Sequence, residues 1–398
     1  MKKKRRKKHK KINPILIFDF LLVIVFLSLV IFAAKTLTDV KKKNQRKLSV
    51  QIEKEIQNSK VKQEQKVQEE TADVKEEEPT QVTPPPNEEK TDATLLFGGD
   101  FYLDESWRYQ YKTEGGISAI ASQDILSQTQ NASYSFVNLK GIYSDEYPED
   151  TKSSAMKSKS LAILQELGID MVNVANAGNA EFSLDEMGAS VGFLRENAIA
   201  VKGFVNPGEE TDSVEEVNIG GNRIGFLGIT DLPIDKSKIF SEGQAGLLSF
   251  ENEKSILSSI KKSDSLNELT IVYVSWGEEE NSSITERQTT LAHKMVDAGA
   301  DVIIGNHGQF LQGMEYYKGK PILYGLGRFM YGSKNYSSVL FKINLPREGE
   351  ISYSLLPIKS AVSTTWIVDA PEEIYQTISQ NSMGVTIDNS GNIIEEVS

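Results

Sequence analysis

A chain of 398 residues exceeds one average domain, and its formal net charge of −12 is unevenly spread. Nine of the first eleven residues are Lys or Arg, so taking those nine from −12 leaves about −21 for the rest. That excludes broad electrostatic binding of nucleic acid or anionic polymers by the bulk of the chain. There is no cysteine, which excludes a disulfide framework, a thiolate nucleophile and Cys-ligated zinc.

Residues 1–14 read as a basic cytoplasmic tail, and residues 15–35 as a transmembrane helix. Ile15–Ala34 supplies about twenty mostly apolar residues, enough to cross a hydrocarbon core of roughly 30 Å. Asp19 falls near the cytoplasmic end, where a carboxylate reaches the headgroups. The bias of positive charge toward the amino terminus places that end in the cytoplasm and the bulk of the chain outside. A cleaved signal peptide is the alternative, but the apolar run is too long for a signal core, and Ala33-Ala34-Lys35 is a poor cleavage site. Residues 36–92 are rich in Lys, Glu, Gln and Pro and cannot bury enough apolar surface to fold, so they read as a stalk. Within it Leu48, Ile52 and Ile56 are spaced for a short juxtamembrane helix.

Residues 93–362 read as one large α/β domain. Thr94–Phe97 closes on Gly98-Gly99-Asp100 as a first buried strand; a helix near Ile117–Leu126 follows, then a strand over 134–140. Leu161, Leu164 and Leu167 mark a helix ended by Gly168, and 169–175 a strand ending in Asn176-Ala177-Gly178-Asn179. Ser183 with Glu186 forms a capping box ahead of the next helix. A strand over 199–204 precedes a hairpin whose arms flank Gly220-Gly221-Asn222. A helix over about 250–262, a strand over 269–275 and a helix over 284–298 lead into the apolar run Val302-Ile303-Ile304, which stops at Gly305-Asn306-His307. Antiparallel strands are expected at 321–324, 339–343 and 352–357. Residues 363–398 form a C-terminal extension, with a helix near 371–380 and a hairpin around Asn389-Ser390-Gly391. Strands alternating with helices, plus hairpins, give a mixed α/β sandwich.

Five strand ends carry polar groups to the edge where open α/β sheets keep their ligands: Gly99-Asp100, Asn138-Leu139-Lys140, Asn176-Ala177-Gly178, Ser275-Trp276-Gly277-Glu278 and Gly305-Asn306-His307-Gly308-Gln309. The ordered set GGD, VNLK, VANAGN, SWGEE, GADVIIGNHGQFLQG and KPILYGLGRF resembles the CapA-type poly-γ-glutamate capsule-synthesis family, part of the calcineurin-like metallophosphatase superfamily. The resemblance covers roughly Thr94 to Phe341. It implies a four-layer α/β/β/α sandwich with a two-metal site at the strand ends. Carried over by position, Asp100 falls on the family's first aspartate, Asn176 on the asparagine of its Ala-Asn-Asn-His motif, and His307 on the first histidine of its Gly-x-His-x-His motif. Elsewhere the chain departs from the pattern. Lys140 stands for a glutamate, Gly178 and Gln309 for histidines, Ser275 for the histidine before Trp-Gly, and Arg328 for an asparagine.

The residues themselves point the same way. Only three histidines exist, His9, His293 and His307, and only His307 ends a strand. A paired transition-metal site needs several imidazole or carboxylate donors at about 2.0–2.2 Å, and an ammonium at position 140 opposes a divalent cation. His293 reads as a solvated helix residue. Asp100, Asn176 and His307 are therefore candidate remnants of a catalytic site. Lys140, Ser275, Trp276, Glu278, Gln309 and Arg328 are candidate ligand-binding residues, with Lys140 and Arg328 suited to pair with Asp100 or to hold a carboxylate or phosphate. No metal ligand set and no cofactor is expected. Ser275, His307 and Asp100 contain the residue types of a hydrolase triad, but Trp-Gly after the serine is not a nucleophile elbow. Expected partners are a cell-surface polymer or its membrane synthase, with the membrane reached through the N-terminal helix and no nucleic acid. An extracytoplasmic domain without disulfides suits a Gram-positive surface. The alternative is an active hydrolase, phosphatase or amide hydrolase, that uses Mn, Fe or Zn with an unusual ligand set.

Overall fold

The computed structural model describes residues 90–147, 154–209, 215–332, 334–361 and 363–396. The chain divides at Pro85/Pro86, and every described residue belongs to the second unit. The expected tail, membrane helix, juxtamembrane helix and all but the last residues of the stalk lie outside the described residues. Among the described residues no helix is long and apolar enough to cross a membrane.

Two sheets form the body of this unit. We number their strands β1 (Ala93–Tyr102), β2 (Tyr134–Leu139), β3 (Met171–Asn173), β4 (Ala200–Lys202), β5 (Glu215–Ile219), β6 (Asn222–Thr230) and β7 (Leu269–Ser275). The series continues with β8 (Val302–Asn306), β9 (Met314–Tyr317), β10 (Lys320–Leu323), β11 (Arg328–Tyr331), β12 (Tyr336–Leu345), β13 (Ser352–Ala361) and β14 (Thr364–Ile367). The eight-stranded sheet runs β14-β13-β12-β1-β2-β3-β4, with β11 paired to the far end of β1. The six-stranded sheet runs β9-β10-β8-β7-β6-β5. In each sheet the central strands are parallel: β1 through β4 in the first, and β6, β7, β8 and β10 in the second. Their nearly continuous apolar runs are what burial on both faces requires.

Three apolar layers show how the elements stack. Phe97, Phe136, Phe226, Tyr273 and Phe341 meet between the two sheets, with neighbouring ring centroids 4.9–6.5 Å apart. The other face of the eight-stranded sheet packs against Ile125, Leu126, Leu164, Met187 and Leu194 of the helices that follow its strands. Ile256, Ile260, Leu291 and Met295 do the same for the six-stranded sheet. At about 2 kcal/mol per buried ring, the central cluster contributes on the order of 10 kcal/mol. Sheet-on-sheet packing, rather than any one polar contact, holds the layers together.

Several expectations are corrected in detail. The helix expected over 117–126 is two pieces, a single turn at Ile117–Ile120 and a helix at Gln123–Asn131. Ser122 leaves the first to cap the second, and its N–H bonds the carbonyl of Thr365. The helix Glu105–Thr113 and strands β9 and β11 go beyond the elements expected from the sequence. The boundary expected at 362/363 falls inside the β13–β14 hairpin, so the first sheet reaches past it. The terminal helix Glu372–Gln380 and hairpin then bury Ile374, Tyr375, Ile378, Val385 and Ile393 against the core between the sheets. The capping box at Ser183 and Glu186 is present, as is the Glu215–Ile219/Asn222–Thr230 hairpin.

What aims β1 at the site is a break in its register between Phe97 and Asp100. Gly98-Gly99 makes that break possible. A Cβ on Gly99 would lie 1.9 Å from the carbonyl oxygen of Gly327, and Tyr273 of the other sheet donates its hydroxyl to the carbonyl of Gly98 at 2.8 Å. Gly99→Ala is therefore expected to cost about 1–3 kcal/mol through overpacking against backbone. Urea unfolding measures this, and an unchanged midpoint would show that the approach of 99 to 327 does not constrain the fold.

Candidate functional site

Five of the parallel strands, drawn from both sheets, end at one place, and each of the five contributes a polar residue. Asp100 of β1 is 1% exposed and lies in register with Asn138 of β2, which lies in register with Asn173 of β3. From the other sheet come Ser275 of β7 and Asn306 of β8, themselves in register. A carboxylate buried this deeply requires compensation. Asp100 Oδ1 accepts from Asn138 Nδ2 at 2.8 Å and from Asn306 Nδ2, while Oδ2 forms an ion pair with the Lys140 ammonium. The side chains of Lys140 and Asp100 are 7% and 1% exposed.

Behind the carboxylate is a network of carboxamides. Asn138 Oδ1 accepts from Asn173 Nδ2 at 3.0 Å, from Asn176 Nδ2 at 3.1 Å and from Ser275 Oγ at 3.4 Å. Asn176 also donates to the carbonyl of Leu139, and its Oδ1 caps a short turn by accepting from Asn179 N–H. Asn179 donates to the carbonyls of Leu139 and Val174. One atom is left over: Asn306 Oδ1 is buried with no hydrogen-bond partner.

His307 follows directly. Its φ of 142° is in the region that favours glycine, a strained geometry for a ring-bearing residue. Both its carbonyl and its ring face Lys140, whose Nζ is 3.3 Å from the carbonyl oxygen and 3.4 Å from Nδ1. With an ammonium as donor, Nδ1 holds the lone pair and the ring proton sits on Nε2. Burial, then the adjacent Lys140 charge, pushes the His307 pKa down to about 4, while Asp100 and Glu279 pull weakly the other way. His307 is neutral at pH 7.

The remaining candidates divide. Asp100, Lys140, Asn176, Ser275 and His307 come together in one cluster. Ser275 Oγ engages Asn138 and Asn173 and makes no hydrogen bond to His307, so the triad types do not form a triad. Trp276 does not wall an open site. It is 1% exposed, stacks on Tyr324 and donates to the carbonyl of Tyr324 at 2.8 Å, inside the core behind the second sheet. Glu278 is exposed and its carboxylate accepts from Asn281 Nδ2. Gln309 Nε2 donates to Glu279 Oε1 at 3.2 Å. Arg328, in register with Asp100, forms no ion pair with it; its guanidinium stacks over Tyr331 at 4.8 Å and Tyr336 at 5.9 Å. His293 is half-buried rather than solvated, stacked on Tyr317 with Nε2 2.9 Å from Glu315 Oε1.

Sequence reasoning missed the role of Asn138, Asn173, Asn179 and Asn306. The available signal was an asparagine at or just past the end of strand after strand, in VNLK, MVNVANAGN and IIGNH. Chemically, the arrangement is a saturated carboxylate, a paired ammonium and a neutral imidazole among amides. Among the described residues no group of three or more His, Asp or Glu could hold a metal ion. The best donors, Asp100 Oδ2 and His307 Nδ1, both face one ammonium, so a divalent cation would have to displace a buried, paired charge.

The family model for the bacterial capsule synthesis protein PGA_cap matches residues 94–333. The chain is 29% identical over 212 residues to the capsule biosynthesis protein CapA of Bacillus anthracis, covering 51% of this chain and 50% of that one. It is 25% identical over 222 residues to the PGA biosynthesis protein CapA of Bacillus subtilis (strain 168), covering 54% and 58%. The chain thus spans about half the length of the curated relatives it matches. Among solved structures, that of TT1561 of Thermus thermophilus aligns with 68% of this chain and all of its own, at 11% identity and a TM-score of 0.37.

Breaking a buried ion pair from one side leaves an uncompensated charge, so Lys140→Met and Asp100→Asn are each expected to lose about 3–5 kcal/mol. The double variant should recover much of that loss in denaturant titration, and strictly additive losses would mean that the two charges are not coupled. A depressed histidine pKa also carries a pH signature. The unfolded chain takes up the proton below its ordinary 6.5 and the fold resists until about 4, so stability drains away as pH falls between those values. Comparing wild type with His307→Gln by thermal unfolding from pH 7 to 4 isolates this part. The variant should lose less stability across the window, and parallel curves would contradict the assignment.

Proposed function

We propose, from the premise that the chain belongs to the bacterial capsule synthesis protein PGA_cap family, that it is a non-catalytic member working at the cell surface. It takes part in making, exporting or anchoring a surface polymer, poly-γ-glutamate being the polymer its resemblance implies. In this reading the N-terminal helix anchors the chain in the membrane and the stalk carries the folded unit outward. The partner is the polymer itself or the membrane synthase that makes it.

One observation carries the non-catalytic part. The Lys140 ammonium is seated on Asp100 and against His307, where the resemblance would put cation ligands. Around it the other donors are carboxamides and a serine, neutral groups that hold a divalent ion far less tightly than carboxylate or imidazole. The residues present do not fit a two-metal centre, so no hydrolytic step is assigned to one. They suit a preformed polar platform fixed by the fold. A second reading keeps hydrolysis with Mn, Fe or Zn, favoured by a neutral His307 ready to act as a ligand at pH 7.

Deleting the gene and quantifying surface polymer tests the assignment. Polymer should fall on deletion and return with the full chain but not with a chain lacking residues 1–35. Unchanged polymer in the deletion strain would refute the polymer role. For the two readings of the site, elemental analysis of the purified chain should find substoichiometric Mn, Fe and Zn, with no phosphatase activity on added manganese. Stoichiometric metal, together with activity abolished by His307→Ala, would establish the hydrolase instead.

A further inference from the structure

Beside the strand-end cluster lies a separate pocket of about 480 Å³, whose lining includes Gln309, Phe310, Arg328, Lys334, Glu373 and Ile374. Its construction is unlike that of the cluster. One wall is the loop after β8, the floor is Arg328 of β11, and the opposite wall is the terminal helix Glu372–Gln380. Lys334, Glu373 and Ile374 all lie beyond residue 333, where the family match ends. This pocket is therefore built in good part by sequence outside the family's matched region.

Arg328 is the telling residue. It is 8% exposed, carries a permanent charge, and has no carboxylate within ion-pair distance and no hydrogen bond to an acceptor among the described residues. Asp100, its neighbour in register, is taken by Lys140. The guanidinium is held in place by stacking on Tyr331 and Tyr336. The Tyr336 ring is itself fixed, since its hydroxyl donates to the carbonyl of Phe329 and accepts from the N–H of Tyr331. A buried fork of five N–H donors, pre-oriented by two rings and opening into a pocket, is costly without an acceptor. Lys334, exposed at the rim, adds a second positive charge with no ion pair among the described residues. Glu373 on the opposite wall is the one acidic group in the lining, and it tempers that charge. Phe310, half exposed, and Ile374 give the pocket an apolar side.

We propose that this pocket is an oxyanion-binding subsite. The Arg328 fork receives two oxygens of a carboxylate or phosphate group, Lys334 adds charge at the rim, and Phe310 with Ile374 packs against the apolar part that carries the group. The proposal goes beyond the polymer role, because it needs only the pocket and stands or falls on binding to the purified chain. Carboxylate and phosphate share the recognition chemistry; which one the pocket meets in the cell depends on whether the group comes from an acidic peptide-like polymer or a lipid headgroup.

The test is calorimetric titration of the full-length chain at low ionic strength, where charge-assisted contacts are least screened. Three probes are used: inorganic phosphate, tetraglutamate peptide, and phosphatidylglycerol vesicles, with phosphatidylcholine vesicles as control. At least one anionic probe should bind, and Arg328→Met should weaken that binding about tenfold or more, the size of one lost charge-assisted pair. Tetraglutamate binding sensitive to Arg328 identifies a carboxylate source, and vesicle binding sensitive to Arg328 a lipid one; either supports the subsite. Should Arg328→Met fail to fold, Lys334→Glu must weaken binding and Glu373→Gln must tighten it. The subsite is overturned if no anionic probe binds, or if binding is indifferent to folded Arg328→Met or to both of the wall variants. Loss of polymer on gene deletion together with such indifference would leave the polymer role intact and remove this subsite alone.

Discussion

A single buried carboxylate constrains the polar end of this molecule. Asp100 lies at the carboxyl edge of β1, almost wholly out of water, and its charge has to be met from within the fold. The Lys140 ammonium meets one oxygen and the carboxamides of Asn138 and Asn306 meet the other. Asn138 comes from the same sheet and Asn306 from the opposing one, so satisfying Asp100 joins the two sheets at the site just as the phenyl cluster joins them beneath it. The Gly98-Gly99 register break and the Tyr273 bond to Gly98 are what let β1 deliver the carboxylate to that point.

The consequences for chemistry follow from saturation. A carboxylate with both oxygens engaged and a lysine held to it make poor general acids and bases, and a serine bonded to two asparagines is a poor nucleophile. What remains is His307, strained, neutral and turned toward the lysine. Such an environment specifies shape and polarity and spends its donors internally. Arg328 differs from its neighbours in this respect. It shares the strand edge, yet its fork is turned away from Asp100 into a pocket closed by the terminal helix. The unspent donor capacity of the site is concentrated there, while the cluster keeps one unpartnered acceptor, Asn306 Oδ1.

The C-terminal residues have a larger role than an appendage. Ile374, Tyr375 and Ile378 complete the apolar layer between the sheets, the N–H of Met383 bonds the carbonyl of Met314, and the carbonyl of Asn381 comes so close to Gly313 that no Cβ fits between them. The same helix supplies a wall of the Arg328 pocket. Core closure and pocket construction are thus one event, performed by sequence that the family match does not cover.

The order of strands and helices was legible in the sequence, because parallel strands buried on both faces must be continuous apolar runs and each must end where polar residues begin. The positions of Asp100, Asn138, Asn176, Ser275 and His307 at those ends followed from the same pattern, as did the capping box at Ser183. The helix Glu105–Thr113, the strands β9 and β11, and the division of the 117–131 segment were not legible. They are short, and their boundaries depend on distant partners such as Gly332, which accepts from Trp107, and Thr365, which accepts from Ser122. For the site, composition settled that only one histidine stood at a strand end and that a lysine stood among the donors. Tertiary structure alone decided whom each charge meets: that Lys140 takes Asp100, that Arg328 takes two tyrosine faces instead, and that Trp276 fills core behind the sheet. Residues one strand apart in register have side chains whose directions depend on everything packed around them, and no local pattern in the sequence encodes that.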